Sequence, residues 1–194
     1  MDTHLITSVA MGIALSACCG FRVFVPMAGA SLAAYLHWYN VPADMQWMGT
    51  LPAIICFATA AVLEISAYYI PFIDNLLDTI ATPLAIGAGT LLAASFLPVS
   101  EFDPMLKWIL AIIAGGGAAG TVQAGTGLLR LASTKTTAGL GNGVVATGEN
   151  AAAIGGTALS FVIPITIAVT MMLVIGWVLM KIGKRFFGSK ETAD

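Results

Sequence analysis

Charge is what this chain has least of. Its 194 residues include 8 lysines and arginines and 10 aspartates and glutamates, 9% in all, where an ordinary soluble domain carries about 25%. So few ionic groups cannot cover a water-facing surface, which excludes a conventional soluble fold. The net charge of −2 excludes a general nucleic-acid partner, since that needs a basic surface. Histidine is almost missing. His4 and His37 stand at opposite ends of one apolar unit, without metal-ligand spacing. Cysteine is scarce too: Cys18, Cys19 and Cys56 form no Cys-x-x-Cys motif, adjacent cysteines rarely bridge, and all three read as small buried residues. No metal and no cofactor is expected. Gly139-Leu-Gly-Asn-Gly143 resembles a nucleotide loop only superficially, because no strand precedes it and no Lys-Ser/Thr follows in register. With no elbow motif for a Ser/His/Asp triad either, no enzyme is expected.

What the chain has instead is apolar length. Residues are 58% hydrophobic and the mean hydropathy is +0.92, with uncharged runs reaching the ~20 residues that a bilayer requires. The expected fold is an all-α membrane protein of about five hydrophobic helical units, two of them interrupted or re-entrant. Residues 1–185 read as a single polytopic membrane domain, with halves 3–100 and 104–182, and residues 186–194 as a short polar tail.

Residues 3–19 are apolar but lack the positive n-region of a signal peptide, so they are read as mature structure. The run breaks at Cys19-Gly20-Phe21-Arg22, Pro26 follows, and a second apolar half covers 27–39. This unit is either a tilted, broken helix or a re-entrant hairpin of two half-helices. Trp38, Tyr39 and Trp47 fit interface anchors. A span over 48–69 starts with Pro52 as a first-turn proline and ends at Pro71. Residues 79–100 carry no charge, with Gly87 and Gly89 as a packing face, and a turn follows at Ser100 to Pro104. Residues 108–129 are also charge-free, but Gly115 to Gly117 and Gly120 weaken a straight helix there. Gly20, Gly116 and Gly120 are therefore the expected backbone breaks. Residues 131–149 form a Thr/Gly-rich segment, and 151–180 a last uncharged span.

Lys181, Lys184, Arg185 and Lys190 follow that span and place the C-terminus in the cytoplasm by the positive-inside rule. A multi-pass protein of a bacterial inner membrane is expected. The two halves share a grammar: a glycine-interrupted apolar unit, then an acid-Asn pair (Asp74-Asn75, Glu149-Asn150), then a small-residue span. Either this is a degenerate internal repeat, as transporters often carry, or glycine-rich membrane helices simply resemble one another.

An ionisable group at membrane depth is costly and presumed paired or functional. The candidates for substrate or ion binding are Arg22, Glu64, Asp74, Asp78, Gln123, Arg130, Glu149 and Asn150. Arg22 follows the first break, where freed amides and a guanidinium could together hold an anion; alternatively it neutralises a carboxylate, and Glu64 is the expected partner. Glu64 could instead carry a proton, or answer Tyr68 or Tyr69. Asp74 and Asp78, at i and i+4, cap and offset the dipole of the following helix or coordinate a cation. Gln123 and Arg130 share a helical face.

The run Gly20-Phe-Arg-Val-Phe-Val-Pro26, with Glu64, Ala67-Tyr-Tyr-Ile-Pro71, Asp74-Asn-Leu-Leu-Asp78 and Pro83-Leu-Ala-Ile-Gly87, resembles the bacterial domain-of-unknown-function family 4126. Tyr68-Tyr69 stand where that family is expected to carry a more polar pair. The resemblance implies an integral membrane protein with broken helices and supplies no activity. The functional expectation is a transporter or channel-like protein for a small polar or anionic solute, proton-coupled through a carboxylate. It would be surrounded by membrane lipids and assembled as a homo-oligomer. The alternatives are a structural or accessory membrane subunit, or a lipid-handling protein, with the charges serving helix packing.

Overall fold

Helix is the only regular structure among the described residues, as lipid requires of a chain whose backbone groups must find partners without water. The computed structural model describes residues 3–97 and 103–187; the side chains of 71, 72, 74–76, 78 and 185–187 fall outside that description. The expected turn from Ser100 to Phe102 and the tail from 188 onward, Lys190 included, lie outside the described residues.

The elements are α1 (Thr3–Cys18), α2 (Phe24–Tyr35), a 3-10 turn (Ala43–Gly49), α3 (Leu51–Ala67), α4 (Pro71–Phe96), α5 (Pro104–Leu110), a π-helical segment (Ala111–Gly116), α6 (Gly117–Thr137), α7 (Asn142–Val162) and α8 (Pro164–Phe187). Local sequence explains the starts. Thr50 Oγ1 accepts from the Ala53 amide ahead of Pro52, and Asp103 accepts from the Met105 amide ahead of Pro104. Among the described residues three helices are long and apolar enough to cross a membrane: Thr79–Phe96, Pro104–Thr137 and Pro164–Lys184. A fourth span forms if the 3-10 turn and α3, bent by 62°, are taken together. The chain is an all-α membrane protein.

The first unit doubles back. Gly12 of α1 lies against Ala93 and Phe96, at the C-terminal end of α4. Tyr39, beyond α2, stacks on the same Phe96 ring with centroids 4.1 Å apart. Between them, Gly20 rests on the Ala119 carbonyl and the Val122 side chain of α6. Both outer ends of the α1–α2 unit thus share one end of the bundle, and its turn points inward. α1 packs chiefly on α4 and α8, α2 chiefly on α3, and the two half-helices hardly touch beyond their turn. Lys107 on α5 secures the outer end by donating from Nζ to both carboxylate oxygens of Asp44, at 2.9 and 3.1 Å.

Several expectations are corrected. The second interrupted unit runs on without turning back: the glycines produce a π-helical stretch inside a continuous 34-residue helix. Gly116 ends that stretch and Gly120 lies in α6, so neither breaks the helix. Gly89 packs against Gly115 while Gly87 is exposed, so only one of the pair forms a packing face. Cys56 is exposed, although Cys18 and Cys19 are buried. The Thr/Gly segment is nearly all helix, with a turn only at residues 138–141. Finally, residues 151–180 are not one span. Pro164 cannot donate to a helical ladder and starts α8 anew after α7.

A buried arginine cluster as candidate functional site

The inward turn between α1 and α2 carries Arg22, and three other elements bring partners to it. α3 supplies Glu64 and, at its end, Tyr68; α6 supplies Arg130; α7 supplies Glu149 and Asn150. Arg22 is 1% exposed, and Arg130 and Glu149 are 4% exposed. Charges this deeply buried persist only when paired and hydrogen-bonded.

They are paired. Arg22 Nη1 donates to Glu149 Oε2 at 2.8 Å and to the Phe21 carbonyl at 2.9 Å, while its Nε donates to Asn150 Oδ1 at 2.6 Å. Its Nη2 reaches the Ala146 carbonyl at 3.3 Å. Arg130 meets the same carboxylate from the other side: Nε donates to Oε1 at 3.1 Å, and Nη2 donates to Oε2. One carboxylate is therefore shared by two guanidiniums. Both guanidiniums also lie over the Tyr68 ring, 3.9 Å from its centroid for Arg22 and 4.2 Å for Arg130, a position the ring quadrupole favours.

Glu64 serves a different end of the arrangement. Its Oε1 accepts from the Val23 amide at 2.8 Å and its Oε2 from the Phe24 amide at 2.9 Å. These amides open α2 and would otherwise have no helical partner. The bond expected between Arg22 and Glu64 is not made; Glu149 takes that place, because the glutamate of α3 is held by backbone. Glu64 also borders a cleft of about 260 Å³ between α2, α3 and α4, walled by Phe24, Leu63, Tyr68 and Leu84. Glu64→Ala is expected to cost about 1–2 kcal/mol by orphaning the two amides, and Glu64→Gln less, because the amide oxygen still accepts. Chemical unfolding in detergent micelles checks the order.

The cluster sits near one face of the bundle. Arg130 comes seven residues before Thr137 and Glu149 seven after Asn142, so both lie roughly 10 Å along their helices from the α6–α7 turn. Residues 132–137 in between are mostly Ser, Thr and Lys. Toward that face, Asn150 Nδ2 donates to Tyr69 Oη at 3.1 Å, and Tyr69 Oη and Thr147 Oγ1 are 3.0 Å apart. Tyr69 is 50% exposed, so this chain of bonds runs from the protein surface to Arg22.

Of the residues marked in the sequence, Arg22, Arg130, Glu149 and Asn150 are brought together, with Glu64 one turn of chain away through Val23 and Phe24. Gln123 is buried on α6 but lines a separate cleft with Thr82. Gly20, two residues before Arg22, packs on Ala119 and Val122 of the same helix, and Arg130, farther along it, reaches the cluster. Asp74 is the fourth residue of α4, which begins at Pro71 after Ile70, so it is not the helix cap. Its side chain and that of Asp78 lie outside the described residues. Tyr68, Tyr69 and Thr147 were not among the expected site residues. The signal available was an aromatic pair beside a proline turn at the end of an acid-bearing span. Among the described residues no group of three or more His, Cys, Asp or Glu could hold a metal ion.

No curated protein and no solved structure matches the chain. A family match does exist, to the family described as Domain of unknown function (DUF4126), over residues 9–184. That range takes in the inward α1–α2 turn and every residue of the arginine cluster. This all-helical membrane chain belongs to that family.

Proposed function

We propose that the protein is a transporter or channel-like protein for a small anionic solute, with the Arg22–Glu149–Arg130 cluster as its binding centre. One observation carries the reading: two buried guanidiniums share a single carboxylate at the turn of two half-helices that enter the bundle and return. Two cations against one anion leave an excess positive charge, and Glu64 of α3, whose carboxylate holds the first amides of α2, supplies the balancing negative one. Interrupted helices that present charge and amide ends at depth are the usual architecture of a solute site. Glu64, bordering its own cleft, is the group assigned to proton coupling. In this reading the chain is a homo-oligomer in the bacterial inner membrane, embedded in its lipids, with the C-terminus cytoplasmic and no enzymatic activity.

One observation favours a second reading. Arg22 spends all three guanidinium nitrogens on protein acceptors, as a stitch holding an accessory subunit together would. Flux separates the two. Purified protein in vesicles is expected to pass small anions, and Arg22→Gln to lower the rate at least tenfold while leaving the protein monodisperse. Equal flux for wild type, Arg22→Gln and empty vesicles rejects transport.

A further inference from the structure

The carboxylate of Glu149 is held in the manner of a ligand. Its two oxygens face the Nε and Nη2 of one guanidinium, Arg130, in a forked pair, the geometry that a planar carboxylate makes with arginine. Arg22 Nη1 closes on Oε2 at 2.8 Å, and Tyr68 lies under both cations. Three guanidinium nitrogens, Nε and Nη2 of Arg130 and Nη1 of Arg22, thus converge on one flat, two-oxygen anion. Nothing else in the cluster requires that shape, because charge alone could be balanced by a carboxylate meeting each arginine through one oxygen.

We infer that the Arg22–Arg130–Tyr68 pocket is a binding site for small carboxylates, and that Glu149 is the tethered occupant which a carboxylate solute displaces. The inference rests on the transport reading above and names its substrate class. The residues between pocket and surface fit the role of a closure. Asn150 bridges Arg22 to Tyr69, and Tyr69 reaches Thr147 at the exposed end of α7. The two bonds at Tyr69 Oη are neutral, and a rotation of the half-exposed Tyr69 would open both while Asn150 keeps its bond to Arg22. Glu149 stands on α7, whereas both arginines stand on other elements. A small movement of α7 therefore withdraws the carboxylate, together with the Asn150 and Ala146 acceptors of Arg22, from cations that stand on other elements.

Glu149→Ala tests this on the full chain in detergent. The substitution removes a group the size of acetate and keeps both arginines. Formate or acetate at millimolar concentration is expected to raise the thermal midpoint of Glu149→Ala by about 2–4 °C. Chloride at equal ionic strength should not raise it, and adding Arg130→Gln should abolish the gain. A folded Glu149→Ala protein that responds equally to chloride and to carboxylates overturns the site. If the variant is not recovered folded from chloride buffer, purification in formate is expected to restore a monodisperse protein; failure in both media also overturns it. Carboxylate rescue without carboxylate flux through wild-type vesicles keeps the site and rejects transport. Anion flux without rescue keeps transport and moves its site elsewhere.

Discussion

Glu149→Gln is expected to destabilise the protein by about 3–5 kcal/mol, more than either arginine substitution in the same cluster. The asymmetry follows from the pairing. Neutralising Glu149 leaves two guanidiniums, 1% and 4% exposed, facing one another with no anion between them. Neutralising Arg22 instead leaves the forked Glu149–Arg130 pair intact; what is lost is one bond to Glu149, those to Asn150 and to the Phe21 and Ala146 carbonyls, and the place over the Tyr68 ring. Arg22→Gln should therefore cost roughly half as much, near 2 kcal/mol. The double variant Glu149→Gln/Arg130→Gln should be more stable than Glu149→Gln alone, since it removes one of the two stranded cations. That non-additivity is the signature of a shared carboxylate. Unfolding titrations of the three variants in one detergent measure it. An Arg22→Gln protein as unstable as Glu149→Gln would mean that the charge balance of the cluster is other than described.

The sequence makes the members of this cluster visible and hides their pairing. Arg22, Arg130 and Glu149 stand out because a charge inside an apolar run is expensive, whatever it contacts. Which carboxylate serves which arginine depends on the path of the chain between them. Arg22 and Glu149 are 127 positions apart, and only the doubling back of α1–α2 sets Arg22 against α7. Glu64 looked the better partner because its alternative, the free amides at the start of α2, exists only once that turn has formed. The Thr/Gly segment misled for a local reason. Threonine and glycine weaken helices in water, but here Thr136, Thr137 and Thr147 turn their hydroxyls back to the carbonyls of Ala132, Ser133 and Gly143, satisfying themselves within the helix. Pro164 is visible in the sequence, but the uncharged run on either side of it reads as one span. Gly115 and Gly116 were rightly read as an irregularity. Composition alone could not separate a break from a π-helical bulge, because the outcome turns on what packs there.

What packs there is the basis of the second large effect. Gly115→Val is expected to cost about 3 kcal/mol and to disturb the arginine cluster from a distance. A Cβ at Gly89 would come within 2.7 Å of the Gly115 carbonyl and 2.6 Å of the Ala119 Cβ, and a Cβ at Gly115 would collide with Gly89 in return. The obstacles are backbone and helix-borne methyl groups, which cannot swing aside as the end of a long side chain can. The Gly89 carbonyl also accepts from Ser16 Oγ at 2.7 Å, so α1, α4 and the π-helical segment meet at this point. Glycine at both positions is what lets the helices approach so closely. Forcing them apart shifts α1, and Arg22 lies only six positions beyond Ser16 on the turn that α1 feeds. Gly87→Ala and Gly117→Ala supply the contrast. Both glycines are exposed, with nothing within 4 Å of a built Cβ, so alanine there should stabilise by about 0.5–1 kcal/mol through reduced backbone freedom in the unfolded chain. Opposite signs for Gly115→Val and Gly117→Ala, two positions apart on one helix, in the same unfolding assay would establish that the contact with Gly89 sets the position of α1. Equal effects of one sign would mean that α1 and its turn are held by other contacts.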